Sequence, residues 1–359
     1  MRVRNESLFG TVDFYSSNLT KLGVEAYDIY INNESMQGAW AAEHKLRTSV
    51  RQQYTNILQR GVSIAAKTPL RHLKSVVRPV LRSCHNQRNW LDDILAAQIK
   101  YFKPDIVLNE AMNWISSRFL QQIKPYTRLL VGQHAATKLR PENDYSVYDL
   151  VVSSFPPTLD WCRQKGISAE MNRLGFEPRV LSYLKGDDRT FDVTFIGSVF
   201  PGIHNSRAEF LETLCNRIER VKIWGTGVDH LSLSSPVRRC YMGPAWGLEM
   251  YQILGKSKIT MNHHGDVAPY ANNMRLYEAT GVGTLLVTDW KDNLHEMFEP
   301  GKEVIAYKSS EECSELVQYY LSRIEERESI ARAGQERTLA EHTYFQRMQE
   351  LVEIVQKRL

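Results

Sequence analysis

Short apolar runs of strand character alternate with stretches of helical periodicity along most of this 359-residue chain. DIVLNE (105–110), RLLVG (128–132) and DLVVS (149–153) each read as buried strands, with a helix over 114–123 between the first two. Residues 172–186 read as a bridge, after which the same grammar returns. Strands are predicted at FDVTFI (191–196), VKIW (221–224), 258–262 and TLLVTD (284–289), and helices at 206–218, 246–254 and 274–280. A long loop precedes Gly243, and helical stretches at 311–325, 327–339 and 342–358 close the chain. Strands spaced by helices imply parallel sheets with right-handed crossovers. The prediction is an α/β fold of two Rossmann-like domains whose parallel sheets face a central cleft, where such folds bind ligands. The start is irregular. A helix over 8–22 and a strand over VEAYDIYI (24–31) leave no clear opening strand, so either residues 1–8 supply it poorly or the sequence begins inside the domain.

Charge adds one feature to this picture. The net charge is only +4, yet residues 44–91 hold ten basic side chains and no acidic one, leaving 35 basic against 41 acidic residues elsewhere. Leu46, Val50, Tyr54, Ile57 and Leu58, and again Leu73, Val76, Val77, Val80 and Leu81, follow helical spacing there, so a solvated helical insertion is the plainest reading. Adsorption to anionic headgroups is the reading preferred here, each near-surface cation contributing ~1 kcal/mol. Nucleic acid is not expected as a partner, since no recognisable module accompanies the charge. No run of 18 apolar residues occurs, residues 1–10 lack the apolar core of a secretory signal, and five scattered cysteines form no C-x-x-C pair. A cytoplasmic protein is expected, peripheral at the inner face of the plasma membrane, with no metal site and no disulfide framework.

The chemistry concentrates in ITMNHHGDVAPYANNMRLYEATGVGTLLVTD (259–289). A strand ends at Asn262, a polar loop follows, and a helix begins near Asn272 or Asn273, either of which can cap it. Free amides in that first turn suit a diphosphate. Arg275 opposes the helix dipole there, a cost that a bound anion offsets. Glu278, one turn on, can accept hydrogen bonds from two ribose hydroxyls, and Gly281 and Gly283 allow a tight turn into the next strand. Asn262, His263 and His264 stand at a strand end. Adjacent strand residues point to opposite faces, so the two histidines make a poor metal pair: one is expected at the donor sugar, the other to be structural. Gly225-Thr226-Gly227 is as readily a simple turn as a phosphate loop.

With Arg275, Tyr277, Glu278-Ala279, the Gly281-x-Gly283 turn and the strand ending in Thr288-Asp289, this segment resembles the C-terminal domain of GT-B glycosyltransferases. It is most similar to the spore-maturation CgeB-like branch of the group 1 families. Leu294, Phe298, Gly301, Glu303 and Tyr307, then Tyr319-Tyr320-Leu321, Ile330-Ala331, Ala333-Gly334 and His342-Thr343-Tyr344 extend the likeness. It is good over 191–355 and loose over 105–174. The resemblance implies that Glu278 holds the ribose, and that Gly197 and Ser198 form the loop beside the diphosphate. It also implies that Arg207 places a cation there, and that the backbone of Tyr241, Met242 and Gly243 reads the base. It departs from the family at Tyr270, eight positions before Glu278, where a sugar-contacting acid is usual, so donor sugar and stereochemistry do not carry over.

The domains expected are 1–175, an acceptor-side Rossmann-like domain with the basic insertion at 44–91; 187–340, the donor-binding domain; and 341–359, a last helix packing back on the first domain. Donor nucleotide and diphosphate fall to Gly197, Ser198, Arg207, Tyr241, Met242, Gly243, Asn272, Asn273, Arg275 and Glu278, and the donor sugar to Asn262, His263 and Tyr270. Glu110 and His134, both at strand ends of the first half, are the candidate catalytic bases. The activity implied is sugar transfer from a nucleoside-diphosphate sugar, a co-substrate with no further cofactor, to a hydroxyl of a glycan, lipid-linked or protein acceptor in bacterial surface-glycan assembly. Two other readings stay open: a GT-B-fold sugar-nucleotide isomerase or epimerase, and a non-catalytic scaffold that binds membrane or partner.

Overall fold

The structure is a computed structural model that describes residues 6–8, 10–46, 89–135, 138–141, 143–184, 186, 188–200 and 204–359. Most of the basic segment, 47–88, lies outside the described residues, so its expected role at a membrane rests on sequence alone. The chain forms two compact units. One comprises Met1–Ala26, Gln133–Lys138 and Val151–Leu359; the other comprises Tyr27–Gly132 and Leu139–Leu150.

In chain order the first elements are α1 (Phe14–Lys21), α2 (Glu34–Glu43), α3 (Asn89–Phe102), β1 (Ile106–Asn109), α4 (Ser117–Ile123), β2 (Leu129–His134), β3 (Leu150–Ser153), α5 (Pro156–Gln164) and β4 (Ala169–Met171). The four strands lie in the order β1-β2-β3-β4, with Ile106 opposite Leu129 and Val151 opposite Ala169 in parallel register. Local chemistry sets the helix starts: the Ser116 hydroxyl accepts from the Phe119 amide, and Pro156 and Pro157 open α5, where no amide donor is needed. The strand expected over 24–31 does not form. The stretch pairs with no strand among the described residues: Val24 and Tyr27 are exposed, Ile29, Tyr30 and Ile31 are only half-buried, and Tyr27 stacks on Phe102.

The second series is β5 (Phe191–Ile196), α6 (Asn205–Arg217), β6 (Val221–Trp224), α7 (Val237–Cys240), β7 (Tyr241–Gly243), α8 (Gly247–Gly255), β8 (Ser257–Asn262), α9 (Arg275–Gly281), β9 (Leu285–Asp289), β10 (Ile305–Tyr307), α10 (Ser310–Ser322), α11 (Ile324–Glu341) and α12 (Tyr344–Gln356). Its parallel sheet runs β10-β9-β8-β5-β6-β7. Val193, Phe195, Met261 and Val287 are buried with Leu211 and Val317 from α6 and α10, which explains why these strands read as nearly unbroken apolar runs. Among the described residues no helix is long and apolar enough to cross a membrane.

The last helix is joined to the rest of its unit through His342-Thr343-Tyr344. The Phe176 amide donates to the His342 carbonyl at 2.8 Å and the Tyr344 amide to the Phe176 carbonyl at 2.9 Å, while the Tyr344 ring sits 5.2 Å from that of Phe14 in α1. His342 is buried with Nε2 donating to the Met297 carbonyl at 2.8 Å and Nδ1 accepting from Arg347 at 2.7 Å, which fixes the neutral ring. Burial lowers its pKa from 6.5 to about 4; the charge of Arg347 works the same way, and the Met297 carbonyl works against both. The unfolded chain therefore binds the extra proton first, so this residue's contribution is full above about pH 6.5 and is lost as pH falls toward 4. Urea denaturation at pH 7 and pH 4.5 should show wild type losing up to about 3 kcal/mol more than His342→Gln over that window. Equal losses would mean that the buried ring is not held neutral.

Candidate active site

The topology of the six-stranded sheet decides where a ligand can sit. From β5 the chain moves outward through β6 and β7, then returns to build β8, β9 and β10 on the other side. Crossovers diverge between β5 and β8, and the C-terminal ends of those strands, Ile196 and Asn262, border the crevice where open parallel sheets bind ligands.

Arg207, in the first turn of α6, spans that junction. One terminal nitrogen donates to the Ser198 carbonyl at 2.7 Å beyond β5, and the other to the His263 carbonyl beyond β8. The residue is buried, its guanidinium lies over the Phe195 ring, and its Nε has no partner. Burial lowers its pKa to about 10; the charge of Arg275 adds to this, while Asp289, Tyr307 and Asp266 oppose it. Two arginines thus share one poorly solvated region. The loop after β5 offers less than its sequence suggests, because the amides of Gly197, Val199 and Phe200 are taken by Trp224, Thr226 and the Ser198 hydroxyl. Positive charge near this loop comes from Arg207 and from Arg275.

Arg275 and Glu278 lie one turn apart on α9, and both are largely buried. A guanidinium nitrogen stands 2.6 Å from a carboxylate oxygen, and another donates to the Ile196 carbonyl at the end of β5 at 3.3 Å. The Arg275 Nε and the Asn272 side-chain amide are buried without hydrogen-bond partners. Burial raises the pKa of Glu278, and Arg275 only partly restores it. Neither expected asparagine caps the helix. Met274 stands at the N-cap position, and Asn273 donates instead to the side-chain oxygen of Asn262 at 2.9 Å, a residue whose own amide donates to the Thr288 hydroxyl at 3.0 Å. Gly283 adopts φ +71 as a turn requires, whereas Gly281 serves packing: a Cβ there would meet the Phe176 ring at 2.5 Å.

Past β8 the two histidines separate. His263 has both ring nitrogens engaged, Nδ1 to the Tyr307 hydroxyl and Nε2 to the Ser206 hydroxyl, each at 3.0 Å. Tyr307 donates to the Asn262 carbonyl, so it accepts from His263. Ser206 is also held by Asp266, which takes the Ser206 amide at the start of α6. Burial lowers the pKa of His263, and Arg207 and Lys291 add to this against the charges of Asp289 and Asp266. His264, which the sequence leaves as the structural partner, pairs through Nδ1 with Asp289 at 2.6 Å, and its Nε2 is buried with no partner. Strand register is the signal that could have found this pair, since Asn262 lies opposite Thr288 at the ends of β8 and β9. Tyr270 is half-buried, edge-on to Phe155.

At the far edge of the sheet β7 carries Tyr241–Gly243, with the Tyr241 hydroxyl donating to the Gly225 carbonyl at 2.9 Å and Met242 exposed. Of the proposed bases, His134 is buried at the end of β2, in the unit that holds the six-stranded sheet. Glu110 follows β1 in the other unit; protein mass around it at longer range, and Asp28, raise its carboxyl. Its own surface is open to water, which limits that shift. Among the described residues no three His, Cys, Asp or Glu side chains cluster as a metal site would need.

Residues 207–353, from the bridging arginine through α9 and into the last helix, match the family model described as glycosyl transferase-like. The chain carries a glycosyltransferase group 1-like domain on a GT-B fold. Solved structures agree on the fold. HepE of Anabaena in complex with UDP-glucose superposes with a TM-score of 0.56 at 13% identity, covering 75% of this chain and 82% of that one. A glycosyltransferase from Rickettsia africae gives 0.56 at 12%, covering 77% and 83%, and sucrose-phosphate synthase from Thermosynechococcus elongatus gives 0.52 at 11%, covering 76% and 79%. No curated protein sequence matches significantly. The family match is to the broad group and does not single out the CgeB-like branch.

The shape of this candidate site depends on one close approach. Gly225 has φ +146, and a Cβ on it would lie 1.8 Å from the Gly197 carbonyl oxygen, so only glycine lets the loops after β5 and β6 run side by side. Gly301 also has positive φ, +87, but open space where a Cβ would go. Gly301→Ala should therefore cost about 1–2 kcal/mol, and Gly225→Ala clearly more, about 3 kcal/mol or above. Thermal or chemical denaturation of both variants checks this; equal costs would mean that the loops part freely.

Proposed function

We propose that this protein transfers a glycosyl group from a nucleoside-diphosphate sugar to a hydroxyl acceptor. The observation that carries the reading is the concentration of buried, under-paired polar groups at one sheet edge: the Nε atoms of Arg207 and Arg275, the Asn272 amide and the self-neutralised Arg275–Glu278 pair. Each unpaired buried donor costs about 1–3 kcal/mol. An anionic ligand with adjacent hydroxyls satisfies all of them together. In this scheme Glu278 accepts from the ribose hydroxyls, and Arg207 and Arg275 take the charge that develops on the departing diphosphate, where poor solvation strengthens each contact. No metal ion is required. Tyr241–Gly243 lies on an edge strand whose outer backbone is available to a base. UDP is the first nucleotide to test, since the Anabaena relative is described in complex with UDP-glucose. Either His134 or Glu110 is the base we assign to the acceptor hydroxyl, Glu110 having a carboxyl already raised toward the range of a general base.

Calorimetry against UDP, GDP and dTDP tests the donor assignment. Glu278→Gln, which preserves size, should weaken the preferred nucleotide roughly tenfold with an unchanged circular dichroism spectrum. Glu278→Ala should weaken it further and also lower the melting temperature, because it leaves Arg275 buried without a counter-charge. Unaltered affinity in the glutamine variant would remove Glu278 from the site.

We further propose that the acceptor is part of a surface glycan assembled on a lipid, which the run of ten basic and no acidic residues over 44–91 would bring within reach. Flotation with vesicles of phosphatidylcholine alone, or mixed with phosphatidylglycerol, should show binding only to the anionic mixture and release as salt rises. Salt-insensitive or absent binding contradicts the proposal.

A further inference from the structure

We infer that His264, presented by Asp289, is the residue that hydrogen-bonds a hydroxyl of the transferred sugar. The inference rests on the donor-site reading above and extends it to a position that the motif does not mark.

The geometry is that of an oriented imidazole. Both the ring Nδ1, at 2.6 Å, and the backbone amide of His264, at 3.0 Å, meet the same Asp289 oxygen. The second Asp289 oxygen lies 3.2 Å from the Lys291 ammonium, so the carboxylate stays charged and acts as acceptor. In the neutral ring the proton therefore belongs to Nδ1, and Nε2 presents a lone pair. That atom is shielded from water and has no donor, on a side chain only 4% exposed. A buried acceptor of this kind is costly to leave unpaired. It matches the hydroxyl of a ligand, which donates.

Position along the sheet says which part of the ligand. The strand order from one edge is β7, β6, β5, β8, β9. With the base against β7 and the diphosphate between β5 and β8 at Arg207 and Arg275, a donor laid across strand ends about 4.8 Å apart carries its sugar onward, over β8 and β9. His264 follows β8 and Asp289 ends β9. His263, its neighbour, has both nitrogens occupied by Tyr307 and Ser206 and has none to offer. Because Nε2 is covered, its surroundings have to shift for a sugar to reach it, and the contact forms only in the occupied site.

The experiment compares nucleotide with nucleotide sugar, so that loss of the sugar contact is read apart from loss of the nucleotide site. Calorimetry is run with UDP and UDP-glucose, and with GDP and GDP-mannose, on wild type, His264→Ala and His264→Gln. For the nucleotide that wild type binds, His264→Ala should leave the diphosphate within about twofold and weaken the nucleotide sugar roughly tenfold. His264→Gln, whose amide reaches the place of Nε2, should recover most of that loss. An alanine variant that keeps the wild-type preference for the sugar conjugate overturns the inference while leaving the donor site standing. So does one that loses diphosphate and conjugate in parallel, which would make His264 a structural prop. Wild type that binds no nucleoside diphosphate overturns the donor-site reading and this inference with it.

Discussion

One buried guanidinium carries the architecture of the six-stranded sheet's ligand-facing end. Arg207 donates to the carbonyls that follow β5 and β8, the two strands between which the chain reverses its direction of winding. Backbone carbonyls at strand ends have no ladder partner beyond the last pair, and in a poorly solvated place each needs a donor. A single arginine at the start of α6 supplies both, and so fixes how far apart the two loops stand. The close packing of Gly197 against Gly225 then fixes the next loop along. The consequence is electrostatic. Holding the loops in this way draws Arg207 into the field of Arg275, and Asp289 and Glu278 only partly offset the pair. On the proposed reading of the site, a fold that needs a cation at its winding junction has thereby built most of what an anion needs.

What the sequence reveals of the fold follows from burial. The long apolar strands of the six-stranded sheet, β5, β6, β8 and β9, are legible because both faces are covered. The strands that sequence reading misses, β4, β7 and β10, have three residues each, and every one is an edge of its sheet. Edge strands are paired on one side and stay short, which leaves too few positions for any period to show. The opposite error, a strand over 24–31, comes from an apolar run that is half-buried at most and has no neighbouring strand among the described residues to pair with. Pattern reports a capacity to be buried, and only tertiary context supplies the partner.

The candidate site divides along a similar line. Arg275 and Glu278 sit one helical turn apart, so their relation is local and visible in sequence. Arg207 shows only as a cation after a plausible helix start; its two carbonyl partners belong to loops 9 residues before it and 56 residues after it. The pairing of His264 with Asp289 bridges 25 residues and depends on β8 and β9 lying side by side in register. The asparagines are misread for the same reason. Asn273 has a better partner in Asn262 than in the helix amides, and that partner is supplied by the neighbouring strand.

The Arg275–Glu278 pair also bears on selectivity, on the proposed reading of the site. With no ligand each is the other's counter-charge, 2.6 Å apart and shielded from water. A nucleoside without phosphates would draw Glu278 toward its ribose and leave Arg275 less well neutralised. A pyrophosphate without ribose would draw Arg275 away and leave a carboxylate whose burial already disfavours its charge. Each fragment alone strips a partner from a desolvated ion, an expensive state in a protein interior. A nucleoside diphosphate replaces both partners in one event, so its binding energy exceeds what its halves supply separately. Recognition of ribose and of phosphate is then one coupled act. The site discriminates by leaving incomplete ligands to carry the cost of an unpaired charge, a form of selection that needs no steric gate.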